Sequence, residues 1–574
     1  MPSKDIKSSY DVIVVGSGAA GLTAALTAAH QGLEVLVVEK TSVIGGATAR
    51  SEGMIWVPCS QQARDEGVDD SPSEALKYLQ NVTDAVNPER AQRFVYEAQD
   101  MLAFVEANAP VKYELVKGSI DYYDSLPGAT LGGRALRPLP ADAEHLPLDF
   151  QMLRAPLAST MIFGGMTVAS RDLPDYYAML KSPAALWRVT RLFLRYVRDR
   201  ARGRTRGTRI AGGNALIAGL ASGALEAGVT IITDAAVAAL REENNRVCGV
   251  AVSHAHRDQS IAARKGVVLA SGGFSWNPQE RAHYYAHPNS THDHLSLTPD
   301  DSAVGSGLQL AESVGGARDE TAIQASAWSP VSLLHVGQGK DVPFPHYIDR
   351  PKPGVIAVDD TGHRFANEAI PYQDFTAAMI DKLQNRPDAR FYLICDHRTI
   401  KRYGLGAAPP APGRLRPFIR NGYLTMAKTL TDLAAAIEVN GAGLEASAED
   451  MTKAAETGKD IAFGKGSTQY ERVNGDALAA GPNPCLGPVN DPPFYAVQIK
   501  PGDIATFVGI STDGSARVLR PDGEVIQGLY AAGSDMATVA GGAYPAAGIT
   551  IGPAMTFGWI AGRELAGNSR KSMA

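Results

Sequence analysis

Residues 11–40 read DVIVVGSGAAGLTAALTAAHQGLEVLVVEK. An apolar, strand-like run over 12–15 meets Gly16-Ser17-Gly18-Ala19-Ala20-Gly21, then an Ala/Leu-rich helical segment, then a second apolar run over 35–38 closed by Glu39 and Lys40. That order is a complete βαβ dinucleotide fingerprint. Gly16 permits the tight turn, Gly18 lets backbone N–H groups approach a pyrophosphate at the helix N-terminus, and Gly21 lets the helix pack closely on the strand. Glu39 stands where a carboxylate accepts hydrogen bonds from a ribose hydroxyl. A bare GxGxxG is weak evidence, but here strand, helix, strand and acid all fall where the mechanism needs them.

At 574 residues the chain is too long for one core and should divide into two or three domains. Hydrophobic content of 45% and charged content of 20% are those of an ordinary globular protein. The net charge of -6 offers no basic excess to attract nucleic acid. Cys59, Cys248, Cys395 and Cys485 are scattered without metal-ligand spacing, so neither a disulfide framework nor a metal site is expected. The start, MPSKDIKSSY, is polar and runs straight into the first strand, without the pattern of a signal peptide, and no run is long and apolar enough to span a membrane. The expectation is a cytoplasmic enzyme.

Residues 41–53, TSVIGGATARSEG, form a second glycine-rich loop. Such a loop suits a flat cofactor whose ring system runs past the first helix, which favours FAD over NAD. GSGAAG, VVEK and GGATARSEG together resemble the flavoproteins that include fumarate reductases, succinate dehydrogenases and 3-ketosteroid dehydrogenases. Members with covalent FAD carry a histidine in this loop; none is present here, so the resemblance implies non-covalent FAD. It places cofactor contacts at Gly16, Ser17, Gly18, Ala19, Ala20, Glu39 and Lys40, and at Gly46, Ala47, Thr48, Ser51 and Gly53. Further on, it places them at Val237, Ala270, Gly272, Gly533, Ser534 and the run Gly548, Ile549, Thr550, Ile551. No later GxGxxG occurs, so a pyridine-nucleotide domain is not expected and electrons leave to an external acceptor, a quinone among the candidates.

Within that superfamily, three stretches resemble the 3-ketosteroid Δ1-dehydrogenases. Asp121-Tyr122-Tyr123, followed by Pro-Gly and Gly-Gly-Arg, matches the loop holding one active-site tyrosine and places it at Tyr122. Pro371-Tyr372, just beyond the superfamily's GxRFxNE segment at 362–368, matches the proton-abstracting tyrosine. Tyr544-Pro545-Ala546-Ala547-Gly548 matches the YPxxG motif, implying that an exposed Tyr544 hydroxyl and the Gly548 N–H, near a helix start, hold a substrate carbonyl. The residue types suit the chemistry: two donors polarise a ketone, and a base removes the α proton. The implied roles are Tyr372 as base, Tyr122 as its supporter, and Tyr544 with Gly548 as carbonyl clamp. Tyr470 is a weaker candidate for the same pocket. The implied reaction removes hydrogen across a C–C bond beside a cyclic ketone, a 3-ketosteroid first and a smaller cyclohexanone derivative second. A fumarate- or urocanate-type reductase is the rival, but residues 503–513, DIATFVGISTD, lack its histidine, which argues for an uncharged substrate. A non-catalytic flavin-binding protein would need the tyrosine matches to be coincidental. Departures fall at 506–509, where TFVG replaces TKGG, around 303–306, where NTGD is replaced, and at Ala546-Ala547.

The fold class expected is α/β, a Rossmann-like FAD-binding domain over 1–320 and 489–574 with an inserted α+β catalytic domain over 321–488. A helical insertion is expected near 150–210. Residues 181–209 carry ten Lys and Arg against one acid, Asp199. Arg188, Arg191, Arg195, Arg198 and Arg202 share one helical face and Leu186, Val189, Phe193 and Val197 the opposite one. The favoured reading packs that apolar stripe inward; the alternative lays 183–205 on anionic lipid as peripheral membrane contact.

Overall fold

The computed structural model describes residues 6–568 except 180, 255, 256, 337–340 and 412; residues 1–5 of the polar start lie outside the described part. Its first sheet is built on the fingerprint. The strand Ser9–Val15 lies between Val35–Val38 and Arg257–Leu269, parallel to both, with Thr230–Ile232 beyond Val35–Val38 and Val525–Ala531 beside Arg257–Leu269. Strands in the middle of a parallel sheet are covered on both faces, so they read as continuous apolar runs rather than alternating ones. Val12, Ile13 and Val14 are accordingly fully buried. A hairpin, Arg246–His254 with Arg257–Leu269, and the strand Ala235–Glu243 extend the sheet antiparallel.

The helix Ala19–His30 packs on this sheet and against the last helix, Ile551–Leu565. Glycine makes that contact close: a Cβ at Gly558 would fall 2.3 Å from the Ala20 carbonyl oxygen, and one at Gly562 2.7 Å from Thr27 Cβ. The first and last helices of the chain therefore share one seam.

The second sheet orders Asp341–Pro345, Ser326–His335, Phe494–Thr506, Phe391–Cys395 and Val355–Asp359, with Leu295–Ser296 and Thr425–Ala427 also on Phe494–Thr506. Its long strand Phe494–Thr506 pairs antiparallel with Ser326–His335 and Phe391–Cys395. The chain thus rejoins the first sheet after Thr506, later than the boundary at 489 placed it, because thirteen residues of extended chain are needed to finish the second sheet. The expected α/β flavoprotein architecture is present.

One local reading changes. The basic helix, Pro183–Ala201, is capped by Ser182 but does not pack its apolar stripe inward as the favoured reading has it. Its buried residues are Ala185, Tyr196 and Asp199, while Leu186, Trp187, Phe193, Leu194 and Val197 are exposed, Trp187 at 66%. Polar bonds decide the orientation: Asp199 accepts from the Thr208 N–H and hydroxyl, and the Tyr196 hydroxyl donates to the Phe163 carbonyl.

Candidate functional site

At the C-terminal end of the parallel strands the predicted cofactor residues gather. The Gly16 turn needs glycine twice over: its φ is +106°, and a Cβ there would fall 2.3 Å from the Ala270 carbonyl oxygen. The neighbouring segments are tied to it. Gly45 N–H donates to Ser17 Oγ at 3.1 Å, Ala19 N–H to Thr48 Oγ1 at 3.4 Å, and Ala270 N–H to the Val15 carbonyl at 2.9 Å. A Cβ at Gly533 would fall 3.1 Å from Ala20 Cβ, and the Trp56 N–H donates to the Gly548 carbonyl at 3.2 Å, which brings the last loop to the same end. Val237 follows Ala235, whose N–H donates to the Glu39 carbonyl. Thr48, Ser51 and Gly53 frame a short helical turn, Thr48–Arg50, beneath them.

These residues fit an adenine dinucleotide. A Cβ built at Gly18, Gly46 or Gly272 would meet no atom within 4 Å, so the backbone at these three positions stands open, as the close approach of a pyrophosphate requires. Lys40 is half-buried there, and burial lowers its ammonium pKa. Glu39 is more engaged than expected. One oxygen accepts from the Ser17 N–H and hydroxyl, the other from the Thr41 N–H and hydroxyl. A ribose hydroxyl would share these oxygens with Ser17 and Thr41.

The tyrosines come from four separate parts of the chain and meet in one cluster. The ring centroids of Tyr122 and Tyr372 lie 5.8 Å apart, those of Tyr372 and Tyr544 5.1 Å, and those of Tyr122 and Tyr544 5.9 Å. Tyr470, the weaker candidate, packs on Tyr122 at 4.7 Å. Tyr347, which the sequence reading missed, packs on Tyr372 at 4.6 Å. Its only signal was an aromatic side chain in a proline-rich turn, which loops share with many surface tyrosines. Tyr544 was expected to be exposed but is 4% exposed, because Phe507 and the other phenols close over it.

Each ring is held by bonds between segments. The turn at 121–123 is bolted to the turn at 544–548: Tyr122 N–H and the Tyr78 hydroxyl both donate to the Pro545 carbonyl at 2.7 Å. Behind it, Asp121 accepts from Trp56 Nε1 at 2.9 Å and from Arg134 Nη1 at 2.8 Å, and Arg134 forks onto Asp70. Removing one partner of such a buried pair costs about 3–5 kcal/mol, so this turn is firmly fixed. Tyr372 opens the helix Tyr372–Asn385, and its neighbour Gln373 anchors that helix to the strand Ser326–His335: its Oε1 accepts from the Trp328 N–H at 2.6 Å and its Nε2 donates to the Ser326 carbonyl at 3.1 Å. The Tyr470 N–H donates to Asp124 at 2.8 Å. Gly548 lies three residues before the last helix, Ile551–Leu565, rather than at its first turn.

Burial raises the pKa of Tyr122, Tyr372 and Tyr544 above the ordinary phenol range. For Tyr544, hydrogen bonds from Tyr372, Thr550 and the Gly548 N–H oppose that rise. The Gly548 N–H therefore lies against the Tyr544 hydroxyl, which sets side by side the two donors a carbonyl clamp needs. Asp374, two residues after Tyr372, accepts from the Tyr123 hydroxyl at 3.1 Å, and burial pushes its carboxyl up to about 6. Among the described residues no group of three or more His, Cys, Asp or Glu is placed to hold a metal ion.

A dinucleotide fingerprint together with a closed cluster of phenols defines an FAD-dependent oxidoreductase. The model of the FAD binding domain family matches residues 11–551. The chain belongs to this family and, within it, to the 3-ketosteroid Δ1-dehydrogenase family. It is 37% identical to the 4-oxocyclohex-2-ene-1-carboxylate 5-dehydrogenase of Sinomonas cyclohexanicum, over 97% of this chain and 93% of that one. It is 36% identical to the 3-oxosteroid 1-dehydrogenase of Mycolicibacterium smegmatis, over 98% of both chains. The crystal structure of the 3-ketosteroid Δ1-dehydrogenase from Sterolibacterium denitrificans, in complex with 1,4-androstadiene-3,17-dione, superposes with a TM-score of 0.89 at 35% identity, covering 98% of this chain and all of that one.

Proposed function

We propose that this flavoenzyme dehydrogenates a cyclic ketone to its conjugated enone, and that the substrate is a 3-ketosteroid desaturated at C1–C2. The carrying observation is the convergence of Tyr122, Tyr372, Tyr544 and Gly548 from distant segments. The Tyr544 hydroxyl and Gly548 N–H polarise the ketone oxygen, which acidifies the α C–H. Tyr372 takes that proton, with Tyr122 beside it. Phe507 and the closed phenol cluster exclude water. FAD, when bound without a covalent link, supplies the acceptor for the hydride. Electrons then pass to an external acceptor, for which a quinone has suitable chemistry.

A monocyclic ketone is the second reading, because relatives named for oxocyclohexane carboxylates are as similar to this chain as those named for oxosteroids. An anaerobic screen of steroidal and monocyclic ketones, with and without a carboxylate, tests both through flavin bleaching and mass spectrometry of the product. Bleaching by none of them would remove the dehydrogenase reading.

The rate should also report the base. Burial raises the Tyr372 pKa above its ordinary value, so the phenolate fraction is small at neutral pH and grows as pH rises. kcat/KM is expected to climb by about tenfold per unit from pH ~7 towards ~10. A plateau already reached at neutral pH would exclude a buried phenol as base.

The outward apolar face of Pro183–Ala201 supports peripheral contact with anionic lipid. Trp187, Leu194 and Phe193, with Phe163 packed on Phe193 at 5.3 Å, stand among exposed Arg188, Arg191, Arg198 and Arg202. Among the described residues no helix is long and apolar enough to cross a membrane. Flotation with vesicles containing anionic lipid should be strong, weaken at high salt, and disappear on replacing Trp187 and Leu194 by serine. Equal flotation of that double variant would remove the lipid assignment, and a concentration-dependent dimer lost in the variant would give the face to a second copy of the chain.

A further inference from the structure

Arg350 is 1% exposed, yet its guanidinium makes no contact with a carboxylate among the described residues. Nε donates to the His346 carbonyl at 2.7 Å, Nη1 to the Glu368 carbonyl at 2.8 Å, and both Nη1 and Nη2 reach the Ile370 carbonyl at 3.4 Å. The guanidinium also lies 4.5 Å from the centre of the Phe375 ring. Two of these carbonyls and that ring bracket Tyr372 in the chain. A buried cation bonded only to neutral groups keeps most of its field, and burying it is costly unless that field is used.

The charged groups around Arg350 are otherwise occupied. Asp349 is bonded to His346 and to the Gly406 N–H. Glu368 is held by Arg364 and paired with Lys465, whose ammonium also reaches the Arg350 carbonyl. Asp374 is bonded by Tyr123. The positive field falls on Asp349, Tyr347, Tyr470 and Asp374, lowering the pKa of each against the rise from burial. Tyr347 accepts a further bond from the Ser329 hydroxyl at 3.1 Å, which favours negative charge on its oxygen. Tyr347 flanks Tyr372, and Tyr470 flanks Tyr122.

We infer that Arg350 is a positioning residue for proton abstraction: it fixes the backbone leading into Tyr372 and places a buried positive charge beside Tyr347 and Tyr470, the phenols that flank the base and its supporter. This rests on the dehydrogenase reading above. The neighbouring phenols oppose negative charge on Tyr372, and a cation set behind them offsets part of that opposition.

The test is the pH profile of the holoenzyme. Arg350→Gln should move the rise of kcat/KM towards alkali by about one pH unit or more, an about tenfold loss at pH ~7 that is recovered at high pH. Arg350→Lys, which keeps the charge without the fork, should recover part of that displacement. Arg350→Met, which keeps much of the stem's packing without the charge, should shift the profile in the same direction with little change in KM, and it reads the inference if Arg350→Gln does not fold. Loss of activity by one factor at every pH, in Arg350→Gln or in Arg350→Met, would mean a merely structural role and overturn it. If the wild-type enzyme bleaches with no ketone, the dehydrogenase reading has failed, and tyrosinate difference absorbance still decides the electrostatic part. Titration of the wild-type holoenzyme should then show phenols ionising at lower pH than in Arg350→Gln, and coincident titrations would refute it.

Discussion

Tyr372→Phe is expected to lower turnover by about 10²–10⁴-fold, the range that a positioned general base contributes. The ring itself should stay in place. It packs on Tyr347 at 4.6 Å and on Tyr544 at 5.1 Å, and the helix it opens is anchored through Gln373, none of which needs the hydroxyl. Flavin content and melting temperature should therefore match the parent, while anaerobic bleaching by the ketone becomes slow. The lost oxygen is also a donor to Tyr544, so the Tyr544 pKa should rise in the variant. Near-parental bleaching rates would show that another group removes the proton, and Tyr122 would be the next candidate.

Gly548→Ala should be still less tolerated. At φ +90° the residue sits in the left-handed region, where a side chain costs roughly 1–2 kcal/mol. A Cβ would also fall 2.4 Å from Ile55 C and 2.6 Å from both Ile55 Cα and Trp56 N. All three are backbone atoms, so no rotamer change relieves the clash, and the turn must move. That shift carries the Gly548 N–H away from its meeting point with Tyr544. Removing one such donor costs about 10²–10³ in kcat, and the displaced turn should reduce flavin retention as well. The measurement is kcat beside bound-flavin absorbance; parental values for both would mean that Gly548 does not shape the site.

The fold was legible where function and backbone geometry demand the same residues. Gly16 and Gly21 are fixed by contacts with backbone carbonyls, so the fingerprint had to appear in order. The predicted strand at 35–38 matches Val35–Val38 because a doubly covered strand leaves a pure apolar run. Tyr122, Tyr372 and Tyr544 were legible only through family resemblance; their spacing along the chain carries no sign that they meet. Tyr347 and Arg350 were not legible, since a buried cation bonded to carbonyls leaves no pattern in sequence. The basic helix was misread because amphipathic periodicity identifies two faces without saying which one has a partner. Asp199, the lone acid among ten bases, was the overlooked clue, as it marks the side that turns inward.

The seam between Ala19–His30 and Ile551–Leu565 sets an order on biosynthesis. The glycine turn that cradles the pyrophosphate is synthesised long before Ile551–Leu565, yet the helix it starts has its inner face at Ala20, Ala24 and Thr27 covered by that later helix. Such a contact spans almost the whole sequence, and contacts of that separation form late. Until that later helix arrives, the nascent first unit carries an uncovered strip of alanine and threonine beside an unfinished nucleotide cradle. A product cut short before Ile551 would leave the helix Ala19–His30 uncovered.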